Sequence, residues 1–485
     1  MDRVSLPMEP KRSGWIPWAL GLFCLLLTAL SARPYAGGWN DGSRLAAVES
    51  LVDRQTLTID ESVFCHPSAE SIAADRAPYP SNNPDLLKNG TSDKLFINGH
   101  YYSDKPAVIS LLMAGIYQTA LFLGLPSAAE RPDLFCYEIT WGSAGLAYLV
   151  AVLSIYQIGL FLRLPGKLLA AWVGSFALAT FALAYTRHTN NHILQLGSLA
   201  LICLQMLHIS RNAASSQISR GRLVLLGSLA GLSFNLDLGA GPLLVAALFF
   251  YSAYTFRTWK PVAVYTLAAL PWVIAGLGIN YSIGGVIKPI NMVPEYSSWP
   301  GCPFTPENMT GFSRHSPIKL TVYALALLFG KHGFLVHNIP LLLSLPAAFF
   351  VLRKSSPLRP VLLTSLGWCA ATWLLYSALS NNYGGGSCSI RWFAPFLAPG
   401  YLLLGIYLKD YPRYFADFLT LSFWGTLFGA IMWTVGPWSL KMIPLLWPTV
   451  GCALVSWGIC RYRLSRTEKR EELVPRDSLP VSRAA

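Results

Sequence analysis

The sequence predicts an all-α protein that crosses a membrane many times, and three observations carry that reading. Of its 485 residues, 53% are hydrophobic and only 13% are charged, about half the charged share of a soluble domain. Apolar blocks recur from Trp15 to Cys460, each close to the ~20 residues that cross a bilayer as a helix. Basic clusters separate the blocks: Arg3/Lys11/Arg12, Arg163/Lys167, Arg211/Arg220/Arg222, Arg257/Lys260, Arg353/Lys354/Arg359, Lys409/Arg413 and the tail from Arg461 to Arg483. Positive loops mark the cytoplasmic side, so the net charge of +13 reports topology. A soluble enzyme, a disordered chain and a nucleic-acid binder are excluded.

The short connections between these clusters carry few cations: Arg187, Arg391 and Lys441. Both termini are therefore expected on the cytoplasmic side, with about 12 spans. These fall at 14–32, 139–161, 168–186, 192–210, 222–236, 240–255, 262–281, 336–352, 359–379, 392–408, 416–436 and 443–460. Residues 222–255 must form two short helices that turn at Asn235-Leu236-Asp237-Leu238-Gly239, because a single span would invert everything downstream. The segment 106–125 is apolar enough to cross, yet crossing would turn the later basic loops outward. It is expected to lie in or on the outer face as an interfacial helix. The apolar stretch from Trp15 to Ala32 exceeds the 7–15 residue core of a signal peptide, which makes it an uncleaved first span.

The expected organisation is a cytoplasmic N-terminus at 1–13, a transmembrane domain at 14–460 and a basic cytoplasmic tail at 461–485. Two outer loops interrupt the membrane domain, at 33–138 and 282–335. The first loop carries amphipathic helices and more than half of the chain's 24 acids. The tail is polar and expected to be disordered. Cys65, Cys136, Cys302 and Cys388 fall outside the spans, where an oxidising compartment permits disulfides in three connectivities. The Asn-x-Ser/Thr triplets at Asn89, Asn280 and Asn308 are short enough to arise by chance.

Several polar groups stand at the outer boundary of the spans. Trp39-Asn40-Asp41-Gly42-Ser43-Arg44 opens a helix, since Leu45, Val48, Leu51 and Val52 follow at helical spacing. Asp41 is either the N-cap of that helix or a carboxylate base at the membrane surface. Gly99 to Pro106 ends in Asp104-Lys105-Pro106, which places Lys105 at headgroup height, as a phosphate ligand or as a snorkelling partner of Asp104. Arg187 to His192 forms a polar knot whose His188 and His192 are spaced i,i+4, a spacing that suits metal binding but lacks a third ligand. Asp237 is an ionisable group in an apolar setting, although at an outer turn it would be solvated. Asn381 to Pro395 carries three successive glycines that admit close backbone approach, then Arg391, whose guanidinium suits bidentate phosphate contacts. Arg44, Asp104, His192, Asp237 and Tyr383 are additional candidates.

Taken together these residues resemble membrane glycosyltransferases of the GT-C class, nearest to family 39, which includes protein O-mannosyltransferases and aminoarabinose transferases that modify lipid A. The resemblance runs from the first span to about residue 408. It implies that Asp41 is the catalytic base, that Lys105 before Pro106 matches a Lys-Pro pair, and that Gly384 to Arg391 matches a Gly-rich loop. Where the family often has a second acid, this chain reads Asn190-Asn191-His192. The implied donor is a sugar on a polyprenyl phosphate, with Lys105 and Arg391 on the phosphate and an extracytoplasmic lipid, glycan or protein as acceptor. Direct attack would invert the anomeric centre. The implied location is the bacterial inner membrane. No metal ligand set and no cofactor are expected, and a divalent ion stays an open alternative. A transporter or flippase of a lipid-linked glycan, or a surface-glycan polymerase or ligase, is the competing reading.

Overall fold

The computed structural model describes residues 14–65, 89–213 and 219–473. The cluster Arg3/Lys11/Arg12, the proposed N-terminal segment 1–13 and the end of the tail lie outside them. Helix α1 is Ile16–Ser31 and α2 is Trp39–Asp53; a short antiparallel hairpin, β1 (Lys94–Ile97) and β2 (His100–Ser103), precedes α3 (Ala107–Phe122). Next come α4 (Pro132–Phe161, with a π-turn at Trp141–Gly145), α5 (Gly166–Leu178), α6 (Asn191–Ala213), α7 (Arg220–Leu236), α8 (Ala240–Phe256) and α9 (Trp259–Gly284). The remainder are α10 (Pro317–Phe329), α11 (Ser344–Arg353), α12 (Arg359–Leu379), α13 (Leu397–Asp410), α14 (Phe415–Val435) and α15 (Leu446–Leu473). By length and apolarity, six helical stretches among the described residues suffice to cross a membrane, one of them Pro317–His337, which begins with α10, or seven if α5 and the following 3-10 turn Phe181–Arg187, bent by 46°, count as one.

The chain runs back and forth between two ends. One end gathers the basic loops: Arg222 donates to Gln205, Ser210 to the Pro357 carbonyl, Lys354 pairs with Asp410, and Arg461 pairs with Asp417. The other end gathers the polar motifs. The expected turn between 236 and 240 is present, with Asp237 at the break between α7 and α8. Close packing of α7 on α9 depends on Gly227 and Gly231. A Cβ at either would stand 2.2 Å or 2.4 Å from the carbonyl oxygen of Tyr265 or Ala269, so the pair acts as small residues do between membrane helices.

Two elements depart from the expectation. Helix α2 is not amphipathic at a surface: Asn40 to Ser50 are all buried. Its polar residues find partners inside, for example Ser62 and Arg54 on Glu49. Helix α3 lies along it, with Ser43 bonded to Ser103 just before α3 and Tyr117 donating to Asp53 at the far end of α2.

The second departure is α10, an apolar helix inside the stretch read as the second outer loop. Both of its ends return to one place. His315 donates to the Ser380 carbonyl at 2.8 Å and His332 to the Ser387 carbonyl at 3.1 Å. Between them, the rings of His315, Tyr323, Tyr383 and His332 follow one another at no more than 6.1 Å. That path is far shorter than the ~30 Å hydrocarbon core, so α10 lies along one end of the bundle and the alternation of the other helices is preserved. We expect an impermeant thiol reagent to label Ser316→Cys and Lys331→Cys from the same side of the membrane. Labelling from opposite sides would make α10 a span.

Candidate active site

At the motif-bearing end a cavity of about 400 Å³ is enclosed by α2, the β-hairpin, the start of α6, the α7–α8 turn, loop residues 304–311, α12 and Arg391. Asn40 and Arg44, four residues apart on α2, share the face that meets it. Of the residues singled out in the sequence, Arg44, Asp104, Lys105, His192, Asp237 and Arg391 line it. Asp41 and Tyr383 do not.

Lys105 is not free to hold a ligand by itself. The hairpin register sets Lys94 opposite Ser103 and so brings Asp93 beside Asp104. The Lys105 ammonium sits between the two carboxylates, 2.6 Å from Asp93 and 2.7 Å from Asp104. Ser43 donates to Asp104 from α2. Burial and Asp93 raise the Asp104 carboxyl, and Lys105 and Arg44 oppose the rise. Lys94 is engaged elsewhere: it donates to the Cys65 carbonyl and stands over the rings of Tyr101 and Trp299.

Arg44 and Arg391 differ from the lysines. Among the described residues neither guanidinium has a carboxylate within 4.0 Å. Arg44 is 2% exposed, and among the described residues its one side-chain hydrogen bond is Nη2 donating to Asn191 Oδ1 at 2.9 Å. Burial lowers its pKa to about 10; Asp104 counters this and Arg391 adds to it. Arg391 Nε is buried and unpartnered. Its position comes from the glycine loop. Tyr383, Gly384, Gly385 and Gly386 all have positive φ, and a Cβ on Gly385 would stand 3.3 Å from Arg391 Nη2. Both the backbone conformation and the close approach therefore select glycine.

Asp237 is buried, 4% exposed, contrary to the solvated turn expected. Its Oδ1 accepts the Gly239 and Ala240 N–H groups and the Tyr376 hydroxyl. Asp41 is not an N-cap, because α2 begins at Trp39 with Gly38 as cap. It sits at the third helical position and reaches back to the Gly37 N–H at 2.6 Å, as the acidic partner does in a capping box. His188 Nδ1 lies 3.3 Å from it, and the carboxylate is 1% exposed. His188 packs so tightly on Gly37 that a Cβ there would be 2.6 Å from the ring.

His188 and His192 thus face different partners, Asp41 and the cavity. Among the described residues no group of three or more His, Cys, Asp or Glu is placed to hold a metal ion. Tyr383 packs at a tilt on Tyr323, ring centres 4.9 Å apart, and its N–H donates to the Tyr323 hydroxyl. The four outer cysteines are free. Asp93, Asn191 and Tyr376 were not foreseen as site residues. Asn191 stood in the polar knot, but nothing in the sequence marks Tyr376 in its apolar helix.

No protein-family model matches this chain, and a search of curated proteins finds no match. Among solved structures, ArnT from Cupriavidus metallidurans bound to undecaprenyl phosphate is similar, with TM-score 0.48 and 14% identity over 92% of this chain and 76% of that one. Its apo form gives TM-score 0.49 and 12% identity, covering 92% and 75%. The oligosaccharyltransferase AglB from Archaeoglobus fulgidus, in complex with an inhibitory peptide and a dolichol-phosphate, gives 0.45 and 13%; this chain spans 56% of its length. These values are too low for a function to follow from the likeness.

Gly385→Ala tests the site's construction. A residue forced to positive φ costs roughly 1–2 kcal/mol, and here its methyl also displaces the guanidinium. We expect a modest fall in the thermal midpoint and weaker binding of an anionic lipid headgroup. Unchanged binding would show that the loop does not position Arg391.

Proposed function

We propose that this protein is an inverting glycosyltransferase that moves a sugar from a polyprenyl-phosphate donor to an acceptor on the extracytoplasmic face of a membrane. The observation that carries the reading is the pair Arg44 and Arg391: two guanidinium groups that line one cavity without a carboxylate partner. Arg44 is buried while Arg391 is half-buried; a buried unpaired cation is costly, and a phosphate offers two acceptor edges to planar forks. The basic loops gather at the opposite end, which by the positive-inside rule turns the cavity outward. The location that fits is a bacterial inner membrane.

An apolar groove of about 340 Å³ between α3, α4, α6 and α7 reaches Leu236, which also lines the cavity. A lipid phosphate with its chain in the groove and its head on the guanidiniums fits both spaces. A cavity of about 400 Å³ lies at the small end of ligand sites, which favours one sugar over an oligosaccharide. Bond breaking then leaves negative charge on the phosphate, where fixed cations stabilise it. Lys105 contributes by holding Asp93 and Asp104, and any phosphate contact it makes is shared with them.

The test is transfer from labelled polyprenyl-phosphate sugars by protein reconstituted in lipid nanodiscs. A charged contact contributes about 1.5–3 kcal/mol, so Arg44→Ala and Arg391→Ala should each slow transfer by about one to two decades. Arg391→Lys should recover only part, because the fork is lost. Movement of intact donor across a vesicle membrane without a glycosylated product would instead support the flippase reading. Wild-type rates in both alanine variants would remove the phosphate assignment.

A further inference from the structure

Three carboxylates line the cavity: Asp93, Asp104 and Asp237. The first two share the Lys105 ammonium. Asp237 forms no ion pair among the described residues. All three of its hydrogen bonds end on Oδ1, from Gly239 N–H at 2.9 Å, Ala240 N–H at 2.8 Å and the Tyr376 hydroxyl at 2.5 Å. Among the described residues no donor is seen on Oδ2. One oxygen is therefore fixed, and the other is left for the cavity.

Two short paths tie this carboxylate to the two guanidiniums. Asn191 accepts from Arg44 and donates to the Leu236 carbonyl, the residue before Asp237. Tyr376 stacks on Trp392 with ring centres 4.3 Å apart and planes 3° from parallel, and Trp392 follows Arg391. A helix cap for α8 accounts for the two N–H bonds. It does not require the tyrosine, nor an open oxygen between two phosphate-binding candidates.

We propose that Asp237 is the general base of the transfer and that Tyr376 is its positioning residue, an inference that rests on the transferase reading above. Oδ2 takes the proton from the acceptor hydroxyl or amine. The freed electron pair on that oxygen or nitrogen forms the bond to the anomeric carbon. The bond from that carbon to the phosphate oxygen breaks, its electron pair stays on the phosphate, and Arg44 and Arg391 hold the charge. Asp41 is placed less well: its Oδ2 is tied to Gly37 and His188, and its Oδ1, though without a partner among the described residues, is buried away from the cavity wall. Burial also raises the Asp237 carboxyl, against the opposing pull of Tyr376, the α8 N–H groups and Arg391, which improves its grip on a proton.

The experiment compares Asp237→Asn, Asp41→Asn and Tyr376→Phe in nanodiscs, in a system where wild-type protein transfers sugar. Asn caps a helix about as well as Asp, so Asp237→Asn should fold and bind polyprenyl phosphate like wild type. Its transfer rate should fall by ~10²–10⁴, while Asp41→Asn keeps far more activity. Tyr376→Phe should lose about tenfold in kcat with KM unchanged. Transfer by Asp237→Asn within a few-fold of wild type would overturn the proposal, as would loss confined to Asp41→Asn. Should Asp237→Asn not fold, Asp237→Ser, also a capping residue, replaces it, and an unchanged kcat in Tyr376→Phe overturns the proposal independently. Wild-type protein that transfers from no polyprenyl-phosphate donor would fail the transferase reading instead, before any variant is compared.

Discussion

Two guanidinium groups that face one cavity repel each other, and for the buried Arg44 removal from water costs several kcal/mol even after relaxation. Arg44 and Arg391 are held in that arrangement by neutral contacts. Arg44 has Asn191, and Arg391 has a loop of left-handed glycines above it and the Trp438 ring 5.7 Å away. The nearby carboxylates could have neutralised them, but Asp93 and Asp104 are occupied by Lys105. A cation pair kept free in this way suits an anion, and the proposed lipid phosphate would supply one.

The scaffold serves the same arrangement. The α7–α8 break supplies Asp237 and the Leu236 carbonyl; the start of α6 supplies Asn191; the end of α12 supplies Tyr376. Each is a helix terminus at the same end of the bundle, so small shifts of one helix would be felt by both guanidiniums. Helix α2, buried from Asn40 to Ser50, is the rigid piece through which the first loop enters the site.

Much of this was legible in the sequence because two signals are strong. Apolar block length predicts helices, and the basic clusters predict which ends lie together, which is how the turn at Asp237 and the place of Arg391 were found. What was hidden depends on tertiary register. Asp93 and Lys105 meet only because β1 and β2 pair as they do, so the sequence offered Asp104 as a partner of Lys105 but not Asp93. Asp41 was offered as an N-cap or a base, and the cap reading fails because the N-cap is Gly38, three residues earlier. Helix α10, 13 residues long, was missed because it sits inside a stretch read as a polar outer loop. Tyr376 carries no signal at all, since its role exists only beside Asp237.

The measurement closest to the central claim is a direct comparison of two lipids that differ only in the head. Polyprenyl phosphate and the matching polyprenol are titrated against purified protein by native mass spectrometry, with wild type and the Arg44→Gln/Arg391→Gln double variant. The account predicts that wild type binds the phosphate at least tenfold more tightly than the alcohol, as one charged contact alone would give, and that the double variant binds both alike. Equal affinity of wild-type protein for the two lipids would contradict it.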